Sequence, residues 1–509
     1  MRARHLLSRS LFGVSLQLID KYKTLSATKA LDLLTRTTEL PAAPIGVRQA
    51  DSEVPVGSSW VNVRYNADYR SHRLYSLRAW WIDRTLRQKD TLHEKLMLFW
   101  HNHFATETEV VRNTNYLYKH YQLLFGYCLG SFSDLLDRIT IDPAMLIYLD
   151  GRSNKAGAAN ENYGRELLEL FTVGKGPMIA PGNYTNYTEE DIREASRVLT
   201  GWQINASTEA SFFSNSRHDT GNKVFSEAFG NHQIADKGQE EFKALHAMIL
   251  NQKATAIHLT RKMYRFFVSG EITDQAEMSI IGPLSEIYFN SGYNTKILLT
   301  TLLKSEHFFS QGLMGCQVKS PMELCSGLSH NLKLNLPDPQ NPVAAYTFAG
   351  YLFSQLQLQE MTPGDPPDVA GWGAYYSDPV FSRMWINSAT LPGKKTFLTT
   401  LVNDGYKTSA IPVRIKPDYI KLAKDTGVPG DASALIRAFA LLLFPQPLNN
   451  ETLVYLSGFL LDGYGAAYWT TRWNLYAANP NDNAAKSEVE SRLQALLSEM
   501  ANMPHYQVF

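Results

Sequence analysis

Along this chain apolar residues recur three and four positions apart over long stretches, while strict alternation of apolar and polar positions is scarce. That period predicts a mainly α protein, a multi-helix globular array. Helices are expected over about 27–36, 72–88, 91–103, 110–127, 161–172, 188–200, 237–251, 254–269, 273–290, 294–304, 341–358, 431–443, 450–461 and 484–500. One small inserted β-hairpin is expected near 210–225, with Ala210-Ser211-Phe212-Phe213 paired to Lys223-Val224-Phe225 across a polar turn.

Pro337, Pro339 and Pro342 mark about 331–342 as a linker. It divides an N-terminal helical body, 1–330, which carries the polar site, from a C-terminal helical region, 343–509, packed on it. At the start of the chain Arg2, Arg4 and Arg9 surround an apolar run from Leu11 to Ile19 and imitate an export signal. Gln17 and the charged Asp20-Lys21-Tyr22-Lys23 break that pattern, so the segment is expected to be an amphipathic helix and no clear signal peptide is present. No apolar run approaches the roughly 20 residues of a spanning helix, and no transmembrane segment is expected.

Composition removes one class of partner. Lysine plus arginine number 49, as do aspartate plus glutamate, so there is no overall basic field and no nucleic acid is expected as a partner. Cys128, Cys316 and Cys325 supply neither a disulfide framework nor a metal knuckle and are expected to be small buried apolar residues. Nothing in the composition fixes an oligomeric state.

The concentrated chemistry lies in two acidic helices between Asn160 and Trp202. Asn160 is placed to cap the first, which gives Glu161 in its first turn a structural role. At about 100° per residue, Tyr163, Leu167, Leu170 and Phe171 form the apolar face, and Arg165, Glu166 and Glu169 fill the opposite arc. Arg165 and Glu169 are spaced as an i,i+4 ion pair. In the second helix Thr188 and Asp191 have the spacing of a capping box, and Glu194 and Arg197 share its polar side. If the helices are neighbours, Glu166, Glu169, Asp191 and Glu194 converge on a site that binds a ligand, holds a divalent metal or moves protons. The same carboxylates serve equally well in an ion-pair network.

Three further segments bear on that site. His101 and His103, in Phe99-Trp100-His101-Asn102-His103-Phe104, can share a metal on an extended backbone, whereas in a continuing helix they point about 160° apart with His103 toward the core. His218 and Asp219 lie on the expected hairpin turn, where a projecting loop would complete a site built on helices. The Asp219-Thr220-Gly221 triplet matches aspartic proteases only superficially, because a second triplet and an all-β frame are absent. His258, Arg261 and Arg265 form one stripe, suited either to an anionic ligand or to pairing with the acidic helices. Pro366-Pro367-Asp368-Val369-Ala370-Gly371-Trp372 is a stiff aromatic loop that would wall a pocket or lock the two halves together. No dinucleotide, phosphate-loop, zincin or nucleophile-elbow pattern occurs.

Taken in order, these segments resemble an uncharacterised bacterial family, the "domain of unknown function" group numbered 1800. The resemblance runs from His5-Leu6-Leu7-Ser8-Arg9 through Trp100–Phe104, the Asn160–Gly174 tract, Tyr187–Asp191, Leu199-Thr200-Gly201-Trp202 and His218-Asp219. It continues through Arg261–Val268, Lys319-Ser320-Pro321 and Pro366–Trp372 to Met503-Pro504-His505-Tyr506. It implies no reaction, cofactor or catalytic residue. It does imply that relatives often look exported and are encoded beside a second uncharacterised family, while this chain begins almost at the first motif without an export signal.

Two readings follow. One is a ligand-binding or catalytic site, with a divalent metal as its cofactor, built from Glu166, Glu169, Glu194, His218 and Asp219 and with His101, His103 and Asp191 as metal ligands. The other is a non-enzymatic helical scaffold that docks a protein partner, in which the same residues form a structural ion-pair network.

Overall fold

The computed structural model describes residues 1–373 and 381–509. Helices form where the apolar period predicts them, among them Arg70–Leu86, His93–His103, Thr114–Tyr127, Lys253–Phe267, Pro342–Gln357 and Asn450–Leu461. Side chains at their starts satisfy the first free N–H groups: Asn113, Asn294, Asp431, Asn449 and Asp482 each accept from the backbone of the following turn. The chain is mainly α, with four two-stranded antiparallel sheets among the described residues.

Some helices lie outside the expected set. Pro321–Asn331 starts at a Ser320–Glu323 capping box and is buried on nearly all sides, so its Ser326, Gly327 and Ser329 show no polar face. Phe132–Thr140, Pro143–Tyr148, Thr390–Asn403, Tyr419–Asp425 and Ala466–Ala478 also lie outside the expected set.

Three local expectations are corrected. The N-terminal segment is two helices, Arg2–Ser10 and Leu16–Lys23, because Ser15 caps a new start with its side chain on the Leu18 N–H. Arg4 and Arg9 are buried rather than facing solvent. The strand Ala210–Phe213 pairs with Trp202–Asn205, and Lys223–Val224 pairs with Gln233–Ile234, so the long hairpin is replaced by two tighter ones. Asn205 shapes the first turn by accepting from Ser207 and Thr208 N–H, and the shorter loop costs less closure entropy. Cys128 and Cys325 are buried as expected, but Cys316 is exposed.

The buried apolar residues form one contiguous cluster from Leu6 to Tyr506, with Trp60, Trp81, Trp100 and Trp469 fully enclosed. Pro342–Gln357 lies along Arg70–Leu86, where Tyr75 donates to the Tyr346 carbonyl at 2.9 Å. Near the end of the chain Val318 and Val508 form a backbone bridge. No helix among the described residues is long and apolar enough to cross a membrane.

Two helices widen into π turns, Leu167–Phe171 and Glu277–Ile281. The first continues directly from Glu161–Glu166 and sets the geometry of the site.

Candidate functional site

The two acidic helices are close neighbours because Gly164 lacks a side chain. A Cβ there would lie 2.3 Å from Ser196 Oγ and 2.9 Å from the Ile192 carbonyl. Asn160 caps Glu161–Glu166, and Thr188 with Asp191 forms the reciprocal capping box of Glu189–Val198. Arg165 does not pair with Glu169. It reaches Glu189 at 2.7 Å and Glu161 at 3.3 Å, since the π turn departs from 100° per residue and takes Glu169 off the row Arg165 belongs to.

The carboxylates then divide into two groups. In the first, Asp191 accepts from Thr188 N–H and hydroxyl and from Ser226 N–H and hydroxyl, at 2.7–2.9 Å. Glu194 accepts from Arg197 and from Val224 N–H, and the same Arg197 guanidinium holds Asp219 at 2.9 Å. That clamp keeps the Asp219 carboxyl below the usual carboxylate range. Asp191, Glu194 and Asp219 thus anchor the 218–226 segment to the second acidic helix.

His218 belongs to the same anchor. Its Nδ1 meets the Thr200 carbonyl at 2.9 Å and its Nε2 the Glu241 carboxylate at 3.0 Å. Burial opposes the proton on His218, but the hydrogen bonds to Glu241 and Thr200 outweigh it and raise the pKa. His218, Asp236 and Glu241 each present a ligand atom within 4.8 Å of the others, so this group has the reach to hold a metal ion. Against that, the Lys223 ammonium is fully buried on Glu241 and already supplies the positive charge. Lys223 shares the polar turn of His218 in the sequence, whereas Glu241 and Asp236 were not singled out there, since nothing local connects them to His218.

The two imidazoles of the His93–His103 helix occupy separate surroundings, as a continuing helix requires. His101 is edge-on to Trp81 and Tyr121, with Thr106 Oγ1 at 3.5 Å. His103 sits among Phe104, Phe132 and Phe171, and its Nε2 meets the Phe171 carbonyl at 3.1 Å. Burial drives both well below the ordinary histidine range. Both are neutral groups of the core, and neither meets a carboxylate among the described residues.

In the second group, Glu169 lines a cavity of about 660 Å³ beside the π turn. Lys175, His258, Arg261, Lys262 and Arg265 contribute to its lining, so the basic stripe of Lys253–Phe267 borders the cavity, with His258 and Lys262 against the Leu170 carbonyl at the end of the first acidic helix and Arg261 paired with Glu277. Aromatic side chains of Phe99, Phe266, Trp372, Trp385 and Phe509 complete much of the remainder. The proline-rich loop is fixed at the edge by Asp365, which accepts from Thr108 N–H at 2.6 Å and from Arg78 at 2.8 Å. Gly371 has φ of 81°, and a Cβ there would be 2.3 Å from Asn102. The loop therefore does both things its sequence allowed: it walls a pocket and ties two parts of the chain together.

Three carboxylates among the described residues line this cavity, and each has a partner. Glu169 accepts from Tyr187 at 2.9 Å and pairs with Lys175 at 3.3 Å; Glu277 pairs with Arg261 at 2.6 Å; Glu323 pairs with Lys95. Lys262 differs. Its amine meets only the Leu170 carbonyl of the π turn, at 3.4 Å, and no carboxylate among the described residues. Burial, with the neighbouring Arg265 charge, brings its pKa down to about 7. The i,i+4 step from His258 would have added Lys262 to the stripe in the sequence.

Glu166 stands one turn before the cavity-lining Leu170 and has no hydrogen-bond or ion-pair partner among the described residues. Burial, then the Glu169 and Asp368 charges, push it up to about 7 against the pull of Arg165. No hydrogen bond or ion pair joins it to His218 among the described residues. The structure thus brings Glu166 and Glu169 to the cavity region and gathers Asp191, Glu194, His218 and Asp219 elsewhere.

A family model described as "Protein of unknown function (DUF1800)" matches residues 5–508. No curated protein and no solved structure matches the chain.

Proposed function

This chain belongs to the DUF1800 family of proteins of unknown function, and we propose that it binds a small organic anion in the cavity between the π turn, the Lys253–Phe267 helix and the Trp372 loop. Lys262 carries the reading. A half-buried amine with no carboxylate partner among the described residues costs free energy that an incoming anion offsets, and each described carboxylate lining the cavity is already engaged. Aromatic lining supplies apolar area for the body of the ligand, the usual combination for a small-molecule site. Glu166, protonated about half the time at neutral pH, is the nearby group suited to exchanging a proton with such a ligand's surroundings.

Titration with carboxylate and phosphate anions, followed by the fluorescence of Trp372 and Trp385, tests this. A saturable change that weakens at least about tenfold in Lys262→Met is expected, equivalent to about 1.4 kcal/mol. Absence of a saturable response to mono- and dicarboxylates and to inorganic phosphate at millimolar concentration would sink it.

Asp191, Glu194, His218 and Asp219 fit a structural network, whose partners saturate them. A divalent metal has His218, Asp236 and Glu241 to rest on, and Lys223 is the charge it would have to displace.

A further inference from the structure

We propose that Lys262 is a nucleophilic amine that condenses with the carbonyl carbon of a small oxo acid or aldehyde held in the cavity. The inference rests on the cavity's being the ligand site and adds the chemistry performed there. A lysine becomes a nucleophile when its ammonium is denied a counter-charge, is withdrawn from bulk water and still has access to a ligand. Lys262 meets these conditions by geometry. It lines the cavity, its one polar contact among the described residues is the Leu170 carbonyl, and Arg265 lines the same space.

The π turn contributes to this placement. His258 Nε2 donates to the same Leu170 carbonyl at 3.1 Å, so one oxygen orients both an imidazole and the amine. Burial holds His258 down to about 3, which keeps it neutral, so it adds no charge beside the amine. In the neutral form Lys262 donates one N–H to Leu170 and keeps its lone pair for a carbonyl carbon. Addition gives a carbinolamine. Both amine hydrogens then pass to the former carbonyl oxygen, which departs as water, and a C=N bond replaces the C=O bond.

Lys175 is the internal comparison. It lines the same cavity, yet its ion pair with Glu169 and its contact with Tyr184 raise its pKa despite partial burial, and it stays an ammonium. Two lysines in one cavity therefore differ in reactivity for a stated reason.

The test treats the full chain with glyoxylate and sodium cyanoborohydride at pH 7 and maps the carboxymethylated lysines by peptide mass spectrometry. With a pKa of about 7, half of Lys262 is neutral at that pH, against about one part in a few thousand for an ordinary lysine near 10.4. Modification of Lys262 about a hundredfold faster than of Lys175 or of surface lysines is expected, with a rate midpoint near pH 7. Equal labelling of Lys262 and the exposed lysines overturns the proposal, and needs no variant that has to fold. Glycolate, which carries the anion without the carbonyl, separates the two ideas. A saturable tryptophan response to glycolate together with unselective labelling rejects the amine chemistry and keeps the binding site. Neither a response nor selective labelling rejects both.

Discussion

Asn102 and Trp372 exchange hydrogen bonds in both directions across the edge of the cavity: Trp372 N–H donates to Asn102 Oδ1 at 2.6 Å, and Asn102 Nδ2 donates to the Trp372 carbonyl at 3.2 Å. One amide thereby replaces a strand partner for the backbone of an aromatic loop 270 residues away. Asn102→Ala removes both bonds and leaves the Trp372 N–H without its acceptor. A loss of about 1–3 kcal/mol in urea unfolding is expected, with a red-shifted tryptophan emission in the folded state. An unchanged midpoint and spectrum would show that the loop is held by other contacts.

Glu166 gives the pH dependence a sign. Its folded pKa of about 7 lies above the unfolded value of about 4.3, so the folded chain holds this proton more tightly. The stability this provides is full below the unfolded value and is lost as pH rises through about 7. Glu166→Gln is therefore expected to match the parent near pH 4 and to exceed it at pH 8. Solvent screening of a part-exposed group reduces the gain to about 1–2 kcal/mol. Denaturant midpoints at the two pH values decide it, and a variant less stable at pH 8 would contradict it.

Lys262 acts on the opposite side. A base with a depressed folded pKa favours the native state above the unfolded value of about 10.4 and loses that advantage as pH falls through about 7. Lys262→Met retains the stem and removes the titration. It is expected to be more stable than the parent at pH 6 by about 1–3 kcal/mol, while weakening anion binding. Thermal unfolding from pH 6 to 10 would show the two curves converging as the amine loses its proton.

The Lys223–Glu241–His218 group separates an ion pair from a metal site. Lys223 and Glu241 are both fully buried, so Lys223→Met removes the ammonium from an interior carboxylate that retains His218 and the Lys237 N–H, and is expected to cost about 3–5 kcal/mol. The parent should show the same unfolding midpoint with and without a chelator. A fall of several degrees on chelation, with one equivalent of metal by elemental analysis, would assign His218, Asp236 and Glu241 to a cation instead.

His218 itself supplies one more slope. Its pKa is raised, since bonds to Glu241 and Thr200 outweigh burial, so its contribution is complete below the unfolded histidine value of about 6.5 and declines as pH passes the folded one. His218→Asn is expected to lie below the parent at pH 5.5 and to approach it at alkaline pH. Parallel pH profiles would show that the imidazole does not titrate with folding.

Much of the local structure was legible. Asn160 and Thr188 with Asp191 cap the helices that their side chains predicted, and the His93–His103 helix turns His101 and His103 apart as continued helical geometry requires. The failures begin where local geometry changes or a partner is distant. Arg165 and Glu169 have the spacing of an ion pair, but the π turn interrupts the row and Glu189 takes the guanidinium. Phe213 finds Trp202 rather than the 223–225 segment, because Trp202–Asn205, a strand outside the expected elements, reaches it across a shorter turn.

The helical period, the caps, the balanced charge and the ordered motifs of the family are legible in the amino-acid order, since each is written in residues within a few positions or in their succession along the chain. Tertiary structure alone decided what the carboxylates between Asn160 and Trp202 can do. Arg197 and Ser226 saturate Asp191, Glu194 and Asp219, while Glu166 and the distant Lys262 reach the cavity region without an ion-pair partner among the described residues. The physical reason is that an ionisable group's chemistry depends on desolvation and on the charges around it, and folding supplies both from parts of the chain that sequence spacing does not connect.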